Sequence, residues 1–202
     1  MARGMNRVCR AMAMASPPIA AVIVLFAGAI TPGYDPASLT ISRLAIPGKP
    51  AALAVDLAML LVALTCLSLA FALVPGARLC RAALSISGVA FIAAAVIHLD
   101  PASPDTSSLH RIASGAAVLG LCAAPFLLPG GYRRISLTAG AAEAALLLSA
   151  PMLNATSFNA WGAWQRVLLA LALSWMVVIA ATMPSVDDTA RASAATARSS
   201  GS

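Results

Sequence analysis

Apolar residues along the chain collect into six long runs, at approximately residues 13–30, 51–74, 79–98, 109–128, 135–153 and 162–183. Proline, glycine or polar residues close most of them: Thr31-Pro32-Gly33, Pro75-Gly76, Asp100-Pro101, Pro129-Gly130-Gly131 and the stretch from Asn154 onward. A hydrocarbon core of about 30 Å takes roughly 20 residues of helix to cross. A segment in lipid must also satisfy its own backbone hydrogen bonds, which a helix does within itself. The pattern therefore predicts an all-α, polytopic membrane protein, a six-transmembrane-helix bundle.

Composition removes the soluble alternative. Hydrophobic residues make up 60% of the chain and charged residues 10%, whereas charge alone is about a quarter of a soluble domain. The net charge of +6 could suggest nucleic acid, but the basic residues come in small groups between apolar runs, with no single stripe. Nucleic acid is therefore not an expected partner, and topology accounts for the charge. With the N-terminus inside, the inner segments hold Arg3, Arg7, Arg10, Arg78, Arg81, Arg133, Arg134, Arg191 and Arg198, and the outer ones Arg43, Lys49, Arg111 and Arg166. Positive charge is retained on the cytoplasmic side. Both termini are therefore expected in the cytoplasm, with the chain crossing the membrane several times. The expected organisation is a basic cytoplasmic N-terminus over 1–12, the six-helix domain over 13–183 and a disordered cytoplasmic tail over 184–202. Ala27-Gly28-Ala29 would fit a signal cleavage site, but a further span follows it, so the first run is expected to be retained. Cys9 and Cys80 adjoin arginines, Cys66 and Cys122 lie in apolar runs, and no CxxC occurs; no disulfide framework is expected.

Loop polarity concentrates on the predicted outer side, in residues 31–50, 99–108 and 154–161, and function tends to sit where irregular polar backbone gathers. The apolar positions Leu39, Ile41, Leu44 and Ala45 predict a short amphipathic helix lying on the membrane surface. Asp-Pro-Ala-Ser occurs at 35–38 and again at 100–103, by duplication of a helix pair or by chance. The loop Pro32-Gly33-Tyr34-Asp35-Pro36, with Thr40-Ile41-Ser42, Leu44 and Pro47-Gly48, then Asp100, His110, Gln165-Arg166 and Trp175, resembles the bacterial "domain of unknown function 998" membrane family over residues 13–183. The resemblance implies a six-helix integral membrane domain, expected as a multi-pass protein of a bacterial cytoplasmic (inner) membrane, and supplies no reaction.

Several residues carry candidate chemistry. His98, Asp100 and His110 are the ligand types of a zinc site with an open water position, and the plainer reading makes both histidines helix-end residues. Apart from that alternative, no cofactor is expected. Glu143, among Gly140, Ala141, Ala142, Ala144 and Ala145, is expected to face the bundle interior as a buried charge, either as a proton relay or substrate group or as a structural hydrogen-bonding carboxyl. Asp56 and Arg166 lie at matched depth and are expected to pair, with Arg166 also able to hold a lipid phosphate. Trp161 and Trp164 read as an interfacial belt. Together Ser42, Asp56, Asp100, His110 and Arg166 form the expected outer ligand-binding site. The leading expectation is a non-catalytic protein that binds a membrane lipid or small amphiphile, or serves as a membrane subunit for a protein partner. A metal-dependent intramembrane hydrolase or lipid-modifying enzyme, and a small proton-coupled transporter using Glu143, are the alternatives.

Overall fold

The structure, a computed structural model, describes residues 2–183. The expected disordered tail lies outside the described residues. Six helices follow one another: α1 (Ala2–Ile30), α2 (Ala52–Ala72), α3 (Arg78–Val96), α4 (Pro104–Ala123), α5 (Arg133–Asn154) and α6 (Trp161–Thr182). All six are long and apolar enough to cross a membrane, and the chain is a multi-pass membrane protein. Short 3-10 turns at Ile41–Arg43 and Ala124–Leu127 complete the secondary structure, and no strand occurs among the described residues.

Consecutive helices pack side by side from α1 to α4, α5 packs on α6, and α6 returns to α1. Leu69, Leu84, Leu121, Met176 and Ile179 fill the interior, while Leu53, Phe71, Leu79, Val96, Leu148 and Met152 point outward. Lipid tails are as apolar as leucine, so helices in a membrane gain more from close packing at small residues than from hiding apolar surface. Gly120 of α4 shows this. A Cβ there would stand 2.4 Å from Ser87 Oγ and 2.8 Å from the Ala83 carbonyl of α3. The same approach lets Ser87 Oγ donate to the Ala117 carbonyl at 2.7 Å.

Three elements depart from the sequence pattern. First, the basic N-terminal segment is not separate, because α1 starts at Ala2 and runs through Pro17 and Pro18. Arg10 turns its Nε and Nη2 onto the carbonyls of Ala180 and Ala181, each at 2.5 Å, and so caps the C-terminal end of α6. Second, α4 begins at Pro104 and not at Leu109. Ser103 is its N-cap, accepting from the Thr106 amide, with Pro104 in the first turn and Asp105 behind it. This start signal is stronger than the polarity that suggested a loop. Third, the stretch expected on the membrane surface is a 3-10 turn whose following residues, Leu44 and Ala45, are fully buried against Ala27, Ala51 and Val55. Five apolar residues in contact with one another outcompete contact with the interface. The loop between α1 and α2 is thus a strap tucked into the bundle.

The repeated Asp-Pro-Ala-Ser encodes a local turn both times. Asp35 Oδ1 accepts from the Ala37 amide and Asp100 Oδ1 from the Ala102 amide, each at 2.9 Å. Beyond that turn the two diverge, Ser38 bonding back to Asp35 at 2.6 Å and Ser103 capping α4.

Candidate functional site

The strap is held from α6. Gly162 sits beneath the Leu39 and Pro36 carbonyls, the Ala163 amide donates to the Ala37 carbonyl at 2.8 Å, and Gln165 Oε1 accepts from the Ile41 amide at 2.8 Å. The N-terminal amides of a helix have no partner within it, so this end of α6 offers donors to an incoming chain.

Arg166 makes the largest contribution. Its Nη1 donates to the carbonyls of Pro36 at 2.7 Å, Gly162 at 2.9 Å and Leu39 at 3.3 Å, and its Nη2 donates to the Tyr34 hydroxyl. The guanidinium also stands 5.6 Å from the centre of the Tyr34 ring. Tyr34 in turn donates to the Leu39 carbonyl at 3.0 Å. A planar group with five N–H donors can serve several carbonyls of an irregular loop at once, which an ammonium does less well. Among the described residues all the hydrogen-bond partners of Arg166 are neutral oxygens. Its Nε–H and one Nη2–H remain without a partner among the described residues.

Asp35 is the carboxylate whose charge acts together with Arg166. Its carboxyl is held below the ordinary aspartate range, first by the Ser38 hydroxyl, then by the Ala37 amide, with Arg166 a smaller and more distant influence. Asp35 is fully exposed and spends its oxygens on its own turn, so the charge of Arg166 stays largely uncompensated.

Directly below the strap lies a cavity of about 240 Å³ between α1, α2 and α6. Ala20 and Val24 of α1, Ala58 and Met59 of α2, and Leu169 and Leu173 of α6 line it, with Phe91 of α3 at its back. Ile41 of the strap and Arg166 close one end, and Arg166 is the single charged lining residue among the described residues. The exposed side chains of Ala21, Leu25 and Ala170 also border it, so the groove opens sideways, where lipid would lie.

The expected outer site is not assembled as one cluster. Asp56 pairs with His98, Nε2 to Oδ2 at 2.9 Å, and not with Arg166. His98 follows directly on the end of α3 and is the nearer donor, while the loop carbonyls claim the guanidinium. Asp100 forms its own turn, and its carbonyl accepts from Ser107 Oγ at 2.6 Å. His110 is buried with both ring nitrogens engaged: Nδ1–H donates to the Ile97 carbonyl at 2.6 Å, leaving Nε2 to accept from Ser114 Oγ at 3.3 Å. It thereby caps the end of α3. His98, Asp100 and His110 do not converge, and no group of three His, Cys, Asp or Glu side chains suited to a metal occurs among the described residues. Ser42 lies half-buried in the 3-10 turn beside Ile41, its side chain bonded to none of these groups. Glu143 is fully buried, as expected. Trp161 and Trp164 form an edge-on aromatic row with Phe158, and Trp164 Nε1 donates to the Leu146 carbonyl and Ser149 Oγ of α5.

Sequence reasoning gave no role to Tyr34, Gly162 or Gln165. The signal for Tyr34 and Gln165 was present, since Pro-Gly-Tyr-Asp-Pro and Gln-Arg are the segments that carry the resemblance, and they meet in space through Tyr34–Arg166 and Ile41–Gln165. The family described as "Protein of unknown function (DUF998)" matches residues 14–182. No curated protein and no solved structure matches the chain.

Proposed function

The chain belongs to the DUF998 family, whose description names no activity, and from that footing we propose that it binds an anionic membrane amphiphile in the lateral groove. The apolar chain lies between α1, α2 and α6, and the headgroup meets Arg166 beneath the strap. One observation carries this reading: a single guanidinium, without a carboxylate partner among the described residues, closes one end of a groove that is otherwise apolar. Small-molecule sites characteristically combine an apolar lining with a few placed polar groups. The two uncommitted N–H groups of Arg166 suit a carboxylate or a phosphodiester oxygen pair. Burying each methylene contributes about 0.8 kcal/mol when it leaves water, so the groove discriminates by shape against the competing bilayer and the headgroup supplies selectivity.

The test uses the full chain in lipid nanodiscs with a photoreactive fatty-acid probe. Crosslinks are expected on Leu25, Leu169 or Leu173, and Ala170→Phe, which fills the groove, is expected to lower the yield at least tenfold. An undiminished yield in a folded Ala170→Phe protein refutes the site.

For orientation we propose that both termini are cytoplasmic and that the strap faces outward, on the support of the paired arginines at Arg133-Arg134 and at Arg78 and Arg81. Gly76, before α3, and Ser108, in the first turns of α4, are exposed, so single cysteines there are suitable reporters. An impermeant thiol reagent is expected to label position 108 from outside and to leave position 76 unlabelled. The reverse pattern turns the protein over.

A further inference from the structure

Three residues of α5 are buried, Ser136, Gly140 and Glu143, spaced so that they share one face of the helix. Ser136 Oγ accepts from Trp175 Nε1 of α6 at 3.1 Å, and a Cβ on Gly140 would come within 2.9 Å of the Phe126 ring. At the third position Glu143 is fully enclosed, and among the described residues neither carboxyl oxygen has a nitrogen or oxygen hydrogen-bond partner.

Among the described residues no cation is placed to answer that carboxyl. The elements packed against α5 are α4, the 3-10 turn Ala124–Leu127 and α6. The turn contains no titratable residue, and the single ionisable residue of α6 is Arg166, committed to the strap. On α4 the Cys122 thiol lies beside Glu143, whereas His110, Arg111 and Asp105 stand at the opposite end of that helix, roughly 15 Å or more away at 1.5 Å per residue. Arg133 and Arg134 of α5 itself are exposed at its first turn. An ionised carboxylate with no partner inside a membrane bundle costs several kcal/mol, and a neutral acid avoids most of that.

We propose that Glu143 is a proton-binding site, occupied in the closed bundle, and that releasing the proton separates α5 from α4. The exchange is simple: the carboxyl O–H bond breaks, water takes the proton, and the carboxylate keeps the electron pair. The resulting anion has no cation to meet among the described residues, so it reaches stability by coming into contact with water. α5 is the element free to allow this, because it is the least buried of the six helices. The site shares no lining residue with the amphiphile groove and stands whether or not that reading holds.

Infrared spectroscopy of the full chain in nanodiscs over a pH series tests the proton directly, with spin labels on α4 and α5 reporting their separation. The wild type is expected to show the carbonyl stretch of a protonated acid at neutral pH, absent in Glu143→Gln and retained in Cys122→Ala. Raising the pH is expected to remove that band and lengthen the α4–α5 distance in the wild type, with no lengthening in Glu143→Gln. If the glutamine variant does not accumulate, Glu143→Asp, which shifts the band, replaces it. The proposal is overturned if wild type and variant have the same carbonyl spectrum throughout the pH range in which they stay folded. It is equally overturned if the distance change is absent or is the same in both.

Discussion

Arg166→Gln is expected to undock the strap and abolish capture of the anionic probe together. The guanidinium serves the Pro36, Leu39 and Gly162 carbonyls and the Tyr34 hydroxyl, and glutamine is too short to span them. Hydrogen bonds from a charged donor are worth roughly 1.5–3 kcal/mol each, and in a shared network they do not add. A total loss of about 3 kcal/mol in stability is expected, read as a lower midpoint of thermal unfolding in detergent and as faster amide exchange over residues 34–41. Probe crosslinking is expected to fall at least tenfold, which corresponds to about 1.4 kcal/mol of binding. Arg166→Lys keeps the charge but loses the fork, so it is expected to fall between the two. Tyr34→Phe separates the two roles. It removes the hydroxyl that accepts from Nη2 while leaving the charge, so the strap is expected to loosen while crosslinking is retained. If Arg166→Gln leaves crosslinking unchanged, the headgroup assignment is wrong even where the strap comes free.

Gly162→Val is expected to have a comparable effect on the strap by a different route. A Cβ on Gly162 would stand 2.3 Å from the Leu39 carbonyl oxygen and 2.5 Å from that of Pro36. Both obstacles are backbone, which cannot rotate away as a flexible side chain would. Overpacking typically costs about 1–3 kcal/mol, and the upper part of that range applies where backbone must move. The strap is expected to lift from α6, breaking the Ala163–Ala37 and Ile41–Gln165 contacts and exposing Leu44 and Ala45 to modification when cysteines are placed there. Gly162→Ala should show a smaller effect in the same direction. Wild-type protection of position 44 in Gly162→Val would show that the strap is not seated on α6 as described.

Much of the architecture was legible because its cause is local. Each span is a run of residues that no soluble fold could accommodate, and each must be helical because lipid offers the backbone no hydrogen bonds. The Asp-Pro-Ala-Ser turns at 35 and 100 have an equally local cause, a carboxylate accepting the amide two residues on. The start of α4 was also written locally, in Ser103-Pro104-Asp105, but counting apolar residues passes over a polar first turn that is nonetheless helical. The burial of Leu44 and Ala45 had no such signature. A short apolar pattern in a loop suits a membrane interface and a bundle interior equally well, and the choice rested on Ala27, Ala51 and Val55 being within reach.

Partner choice divided the same way. The sequence by itself determined that this is a six-helix membrane protein and that Glu143 has to be enclosed by protein, since hydropathy and the cost of charge in lipid act on each segment regardless of its neighbours. Only the tertiary structure decided that Asp56 takes His98, that His110 closes α3, and that Arg166 holds Tyr34 and the strap carbonyls above an apolar groove. Matched depth along two helices does not fix which of their faces meet. That depends on helix rotation and on close approaches such as Gly162 beneath Pro36 and Leu39, which arise when segments more than a hundred residues apart pack together.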